Sequence, residues 1–403
     1  MTRFHGRRWG AAPGLLALAA LIAACGSTAA HPTRTPSGTV TAAPTVSTSP
    51  VSSASPVSSA PPSATPAPTS AAPTPIAGFE AASVTFVSSQ DGWVLGTVGG
   101  SLALARTQNG GTTWTSITPP PTGFYSGPGS TGVSGIRFAD PQDGWAYGYD
   151  LFATHDGGAT WTQVALPGLN TSTGTTPIQA LETSGGSVDA VITGSTSFVI
   201  DTAADGSNSW TSSPTTIAYG AGPIPEAQLT LQGSAGWVLE NDRVVSGGAR
   251  LQSGTWSSWT PPCSTANGPA TLAGSSSVDL IAACEAGLYG GGSPTEQAYT
   301  STNAGGAFTA LSTALPALCQ GTSTLASPST SVAAAGCGGE IVATFNGGGS
   351  WSTVFTGAGN TAISYVGFTT PTQGVAIEAS LTNSLGPLLM TTDGGHAWAA
   401  VTI

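Results

Sequence analysis

Few residues of this 403-residue chain have the types and spacing that chemistry needs. Cys263, Cys284, Cys319 and Cys337 form no C-x-C or C-x-x-C pair, so a metal or redox site is not expected of them, whereas disulfides are. His155 and His396 stand in two similar octapeptides, "THDGGATW" and "TTDGGHAW", and isolated imidazoles on turns read as solvated and not as metal ligands. The acids Asp156 and Asp393 of those octapeptides become Asn109, Asn303 and Asn346 in three further copies. A neutral amide replaces a carboxylate ligand poorly, so these positions are expected to hold turns, with no metal and no cofactor. All eight cationic residues are Arg, and Arg3, Arg7, Arg8 and Arg34 precede every acid. From Glu80 onward only Arg106, Arg137, Arg243 and Arg250 oppose 19 acids, the wrong field for a nucleic acid.

The first 24 residues carry a basic start and then an apolar run from Ala11 to Ala24, too short to favour a spanning helix and fitting for a signal peptide. Ile22-Ala23-Ala24-Cys25 resembles a bacterial lipobox, which implies cleavage before Cys25, lipidation of its thiol and a membrane-tethered protein on the extracytoplasmic face. Residues 25–76 are nearly all Ser, Thr, Pro and Ala, which cannot bury enough apolar surface to offset the entropy of ordering, and are expected to be a disordered spacer.

Residues 77–403 repeat. Trp114, Trp161, Trp210, Trp256, Phe308, Trp351 and Trp398 recur at intervals of 43 to 52 residues. Five of them end the same octapeptide, while "AADGSNSW" is degenerate and "RLQSGTWSSW" keeps only its aromatics. Upstream, "VTFVSSQDGWVLG" and "IRFADPQDGWAYG" read as strand, turn, strand. A unit of this length holds four short strands, and with no helix-period stretch to build a solenoid, the expected fold is all-β: a β-propeller of seven four-stranded blades.

The octapeptide resembles the Asp-box (BNR) repeat of sialidases, sortilin-type receptors and photosystem assembly factor-like propellers, the last most of all. The resemblance implies that the box turns from a blade's third strand to its fourth, with Trp114, Trp161, Trp351 and Trp398 packing between blades. By repeat position Cys263 and Cys284 fall in unit five, with Cys319 and Cys337 at matching places in unit six, so the expected pairs are 263–284 and 319–337 among three possible connectivities. Sialidase chemistry would need an arginine triad that these scattered Arg do not suggest, so no catalytic residue is assigned. The expected role is a non-catalytic binding or assembly module for an envelope protein or glycan, the alternatives being a sialidase-like glycosidase or a purely structural envelope protein. The binding face is expected opposite the box turns, on loops carrying Phe124, Tyr125, Tyr149, Asp150, Glu240, Asp242, Arg243, Glu285, Tyr289 and Glu296.

Overall fold

A computed structural model describes residues 74–403 except 128, 170–177, 220–225, 243, 264–269, 287–294 and 320–323. Cys25 and the spacer as far as residue 73 lie outside the described residues, as do Arg243 and Tyr289. Seven four-stranded antiparallel sheets follow one another in chain order: β1–β4 (79–117), β5–β8 (133–163), β9–β12 (178–218), β13–β16 (227–259), β17–β20 (270–310), β21–β24 (324–356) and β25–β28 (361–400). They form a seven-bladed β-propeller, as the period predicts.

The first strand of each blade lies innermost and lines the central channel, where side chains stitch one blade to the next. The Gln228 Oε1 accepts from Leu272 N–H at 2.9 Å, the Gln232 amide donates to Gly274 O at 2.7 Å, and Thr324 Oγ1 accepts from Val366 N–H at 2.9 Å. Blade seven is complete in itself and borrows no strand. The ring closes through Ala81 and Gly386, which exchange both backbone hydrogen bonds, and through Ile76 N–H donating to Ile403 O at 2.7 Å.

The core is divided among the seams. Each of seven apolar clusters spans two adjacent blades, and each includes, or has packed against it, the repeat aromatic of the later blade. Trp114 lies between blades seven and one, Trp161 between one and two, Trp351 between five and six, and Trp398 between six and seven. Phe308 does the same in blade five, as do Trp210 and Trp256 in the two units whose turns have decayed. A blade face buries its apolar side only against a neighbour, which is why no unit could fold alone.

Candidate functional site

Strand order divides the turns between two faces. The links from first to second and from third to fourth strand share one face, and the hairpins between second and third strands share the other with the connections between blades.

The octapeptides occupy the first face, and their geometry is repeated. Thr154 Oγ1 accepts from Gly158 N–H at 2.9 Å and donates to Asp156 Oδ1 at 2.8 Å, which also accepts from Thr160 N–H at 2.8 Å. Thr107 with Asn109, Ser301 with Asn303, Thr344 with Asn346 and Thr391 with Asp393 reproduce this pattern. An Asn Oδ1 serves as well as a carboxylate because only one acceptor oxygen is required. Gly157 and Gly158 supply the positive φ, 73° and 93°, that the turn demands. The hydrogen bonds of Thr160 hold the Asp156 carboxyl down at about 2, and Thr391 lowers that of Asp393. In blade four the motif is replaced by a tight hairpin through Ser253 and Gly254, both at positive φ.

The two histidines are not simply solvated. His155 Nδ1 lies 2.6 Å from Asp143 Oδ1 and its Nε2 lies 3.3 Å from Asn208 Oδ1, a link to the next blade. His396 stacks on Phe345 of blade six with centroids 3.7 Å apart.

On the opposite face the candidate residues separate into two groups. Phe124, Tyr125, Tyr149 and Asp150 do gather beside the channel: Phe124 bridges Val133, Tyr125 and Tyr149 stack at 6.5 Å, and Asp150 Oδ2 accepts from the Thr122 hydroxyl at 3.1 Å. Glu240, Glu285 and Glu296 do not present themselves on loops; their exposures are 0%, 3% and 2%. The hairpins are longer than the repeat suggests, so Glu240 lies within β14 (Ala235–Asp242) and Glu285 in β18 (Leu280–Ala286) stands directly opposite Glu296 in β19 (Thr295–Ser301). Asp242 ends β14 opposite Val244 and is likewise part of a strand. The expected acidic recognition face is thus corrected: its glutamates are strand residues inside the blades. Both expected disulfides form, Cys263–Cys284 and Cys319–Cys337, each tying the connection that leads into a blade to that blade's second strand.

The residues that sequence reasoning passed over are in the channel. Arg137 on β5 (Val133–Phe138) donates from Nε to Glu182 Oε1 of β9 (Ile178–Ser184) at 2.8 Å and from Nη1 to Ile136 O at 2.8 Å. Its guanidinium lies 5.4 Å from the Tyr365 ring centroid. Burial opposes the Arg137 charge, but Glu182, Tyr147 and Tyr365 outweigh it and raise the pKa; burial raises those of Tyr147 and Tyr365 in turn. Arg137 therefore stays ionised, with neutral tyrosines around it. It sits where two cavities meet, the central channel of about 670 Å3 and a mouth of about 470 Å3 bordered by Phe124, Tyr125, Tyr147 and Tyr365. No described residue accepts from Arg137 Nη2 or donates to Glu182 Oε2; Arg137 lines both cavities and Glu182 the central channel. The sequence signal was faint: Arg137 is a cation in a first strand, and its partner is 45 residues away.

Arg106 and Arg250 are structural. Arg106 lies 4.7 Å over the Trp93 ring and pairs with Asp91 at 3.5 Å, and Arg250 donates to Ala304 O at 3.1 Å. They belong to the turn face of blades one and four and do not converge on Arg137.

No protein-family model matches the chain, and no curated protein matches it. Solved structures do. One titled "YCF48 bound to D1 peptide" aligns with a TM-score of 0.55 at 17% identity, covering 78% of this chain and 94% of that one. YCF48 from Cyanidioschyzon merolae aligns at 0.54 and 16%, covering 78% and 95%. A polysaccharide lyase of family PL25, an ulvan lyase, aligns at 0.50 and 11%, covering 82% and 97%. At these identities the likeness is one of fold, shared by binding and enzymatic propellers.

Proposed function

We propose that this chain is a lipid-anchored, non-catalytic binding protein whose propeller captures an extended segment of an envelope protein at the channel mouth. The observation that carries the reading is Arg137, paired with Glu182 and lining both the channel and its aromatic-bordered opening. A peptide unit offers a carbonyl beside an N–H, complementary to the donor of Arg137 and the acceptor of Glu182, and the rings of Phe124, Tyr125 and Tyr365 offer apolar faces to its side chains. The peptide-bound YCF48 structure supports such a use of this fold. The lipobox resemblance at Cys25 and the 50-residue spacer support tethering at a distance from the membrane.

The test is photo-crosslinking in the envelope from a reactive residue at Tyr125, with one at Thr112 on the turn face as control, followed by mass mapping of the captured peptide. That peptide, synthesised, should bind the full chain and lose about tenfold or more in affinity with Arg137→Gln, as expected for a charge-assisted bond of 1.5–3 kcal/mol. Crosslinks only from Thr112, or an Arg137→Gln protein that binds as the parent does, would overturn the reading. Turnover of sugar polymers by the full chain would favour the glycosidase alternative instead.

A further inference from the structure

The seam between blades five and six is set apart by the side chains it lacks. Between blades one and two, Trp93 stacks on Phe138 with centroids 3.8 Å apart and donates from Nε1 to Gly157 O at 3.0 Å. Between blades four and five, Trp237 donates in the same way to Ala304 O at 3.1 Å. Strand register identifies the corresponding residues in blade five. Trp93 faces Arg106 next to the pair formed by Gly92 and Thr107, the first residue of the repeat turn; Ile281 faces Thr300 next to the pair formed by Leu280 and Ser301. Ile281 and Thr300 thus hold the places of Trp93 and Arg106.

The partner blade is depleted as well. Its first strand, β21 (Thr324–Ser329), ends in Ser-Pro-Ser where β1, β5 and β25 end in Phe86, Phe138 and Phe368. Gly347 takes the place of Gly157: Gly347 N–H donates to Ser331 O at 2.8 Å as Gly157 N–H donates to Gln142 O at 2.9 Å. Among the described residues nothing donates to the Gly347 carbonyl. A cavity of about 200 Å3 remains, lined by Ile281, Thr300, Ser327, Thr330, Ala333 and Gly347. Between blades six and seven, the stacked Phe345 and His396 stand at the level of the repeat turn.

We propose that this cavity binds an indole, taking the position that Trp93 holds between blades one and two and donating its N–H to Gly347 O. An apolar cavity of about 150 Å3 is enough to hold a benzene ring, so about 200 Å3 suits a bicyclic one. The site lies on the face opposite the channel mouth and is independent of the reading given for it.

The experiment titrates the full chain, carrying 13C-labelled isoleucine methyls, with indole, with indene, and with N-acetyl-tryptophanamide. Indole should shift the Ile281 methyl saturably, and indene, of the same shape but lacking the N–H, should bind about tenfold more weakly for the loss of one hydrogen bond. Binding of N-acetyl-tryptophanamide at the same methyl assigns the site to a partner's Trp side chain; binding of indole alone assigns it to a free small molecule. Ile281→Trp should fill the cavity, abolish indole binding and raise the melting temperature. An Ile281 methyl unmoved by millimolar indole overturns the proposal, as does a folded Ile281→Trp protein that binds indole as the parent does; the methyl measurement decides the matter should that variant fail to fold.

Discussion

Trp93 and Trp145 form a natural pair for measuring what the repeat turn contributes. Both occupy the same register of a second strand, in β2 (Gly92–Val98) and β6 (Gly144–Gly148), and both are fully buried. Trp93 donates to Gly157 in the intact turn of blade two, whereas Trp145 faces the degenerate unit three and its Nε1 has no acceptor among the described residues. Replacing each by Phe deletes the same atoms, so the packing loss cancels to first order between the two variants. What remains differs in sign. Trp93→Phe forfeits a hydrogen bond of about 1 kcal/mol net and strips a donor from a carbonyl in the seam, which adds about 1 kcal/mol more. Trp145→Phe removes a buried N–H that bonds to no protein atom, recovering about 1 kcal/mol of its desolvation cost. Trp93→Phe should therefore be less stable than Trp145→Phe by about 2–3 kcal/mol. Urea titration followed by circular dichroism, with a common m-value, reads the difference as separated midpoints. Equal midpoints would refute the claim that the turn carbonyl is an energetic partner of the indole.

Asp156→Asn should change stability at neutral pH by less than about 0.5 kcal/mol, because Asn109, Asn303 and Asn346 do the same work, while Asp156→Ala should cost about 1 kcal/mol. The Asp156 carboxyl is held at about 2, below its ordinary 3.8, so its contribution is present above the ordinary value and lost as pH falls through about 2; acid titration of the parent against Asp156→Asn should show this slope only in the parent. Burial pushes the Glu285 carboxyl up from its ordinary 4.5, which places the stability it confers below that pH and removes it as pH rises through the folded value. Glu285→Gln should accordingly raise the melting temperature at neutral pH and leave it unchanged in acid; a variant less stable than the parent at neutral pH would contradict this.

The seven-fold period, the turn residues and both disulfides were legible because each is a local feature repeated at fixed spacing, so that one copy interprets another. Cys263 and Cys284 could be paired only because Cys319 and Cys337 stand at the same places one unit later. What was not legible depends on how far a hairpin extends and on what lies across the ring. Glu285 and Glu296 flank a Gly- and Ser-rich stretch and Glu240 precedes Asn241-Asp242, compositions that read as loop, yet the backbone ladder continues past them, as the Ala286–Thr295 and Asp242–Val244 pairings show. Arg137 was visible as a cation inside a strand, but its meeting with Glu182, Tyr147 and Tyr365 joins the innermost strands of blades two, three and seven with the second strand of blade two, which no local pattern encodes.

The same contrast explains where the ring tolerates change. Each seam must fill a volume at the level of the repeat turn, and the chain fills it with different residues: Trp93 on Phe138 in one, Met390 in another, Phe345 with His396 in a third, and Trp256 donating to buried Asp189 in a fourth. Such solutions need only the right volume and a partner for each polar atom, so sequence identity between units can fade while the blades keep their register. The seam between blades five and six is the one in which Trp, Arg and Phe are all replaced by smaller residues and the volume stays open. The two disulfides lie in those same two blades, at their far ends from the cavity, tying the connection into each blade to its second strand. Cys319 and Cys337 belong to the apolar cluster of this seam and Cys263 and Cys284 to that between blades four and five, so each tie reduces the entropy that the packing beside it must offset. A ring so fastened retains its closure with a vacancy at the turn face, the condition under which a cavity persists for a ligand and does not collapse.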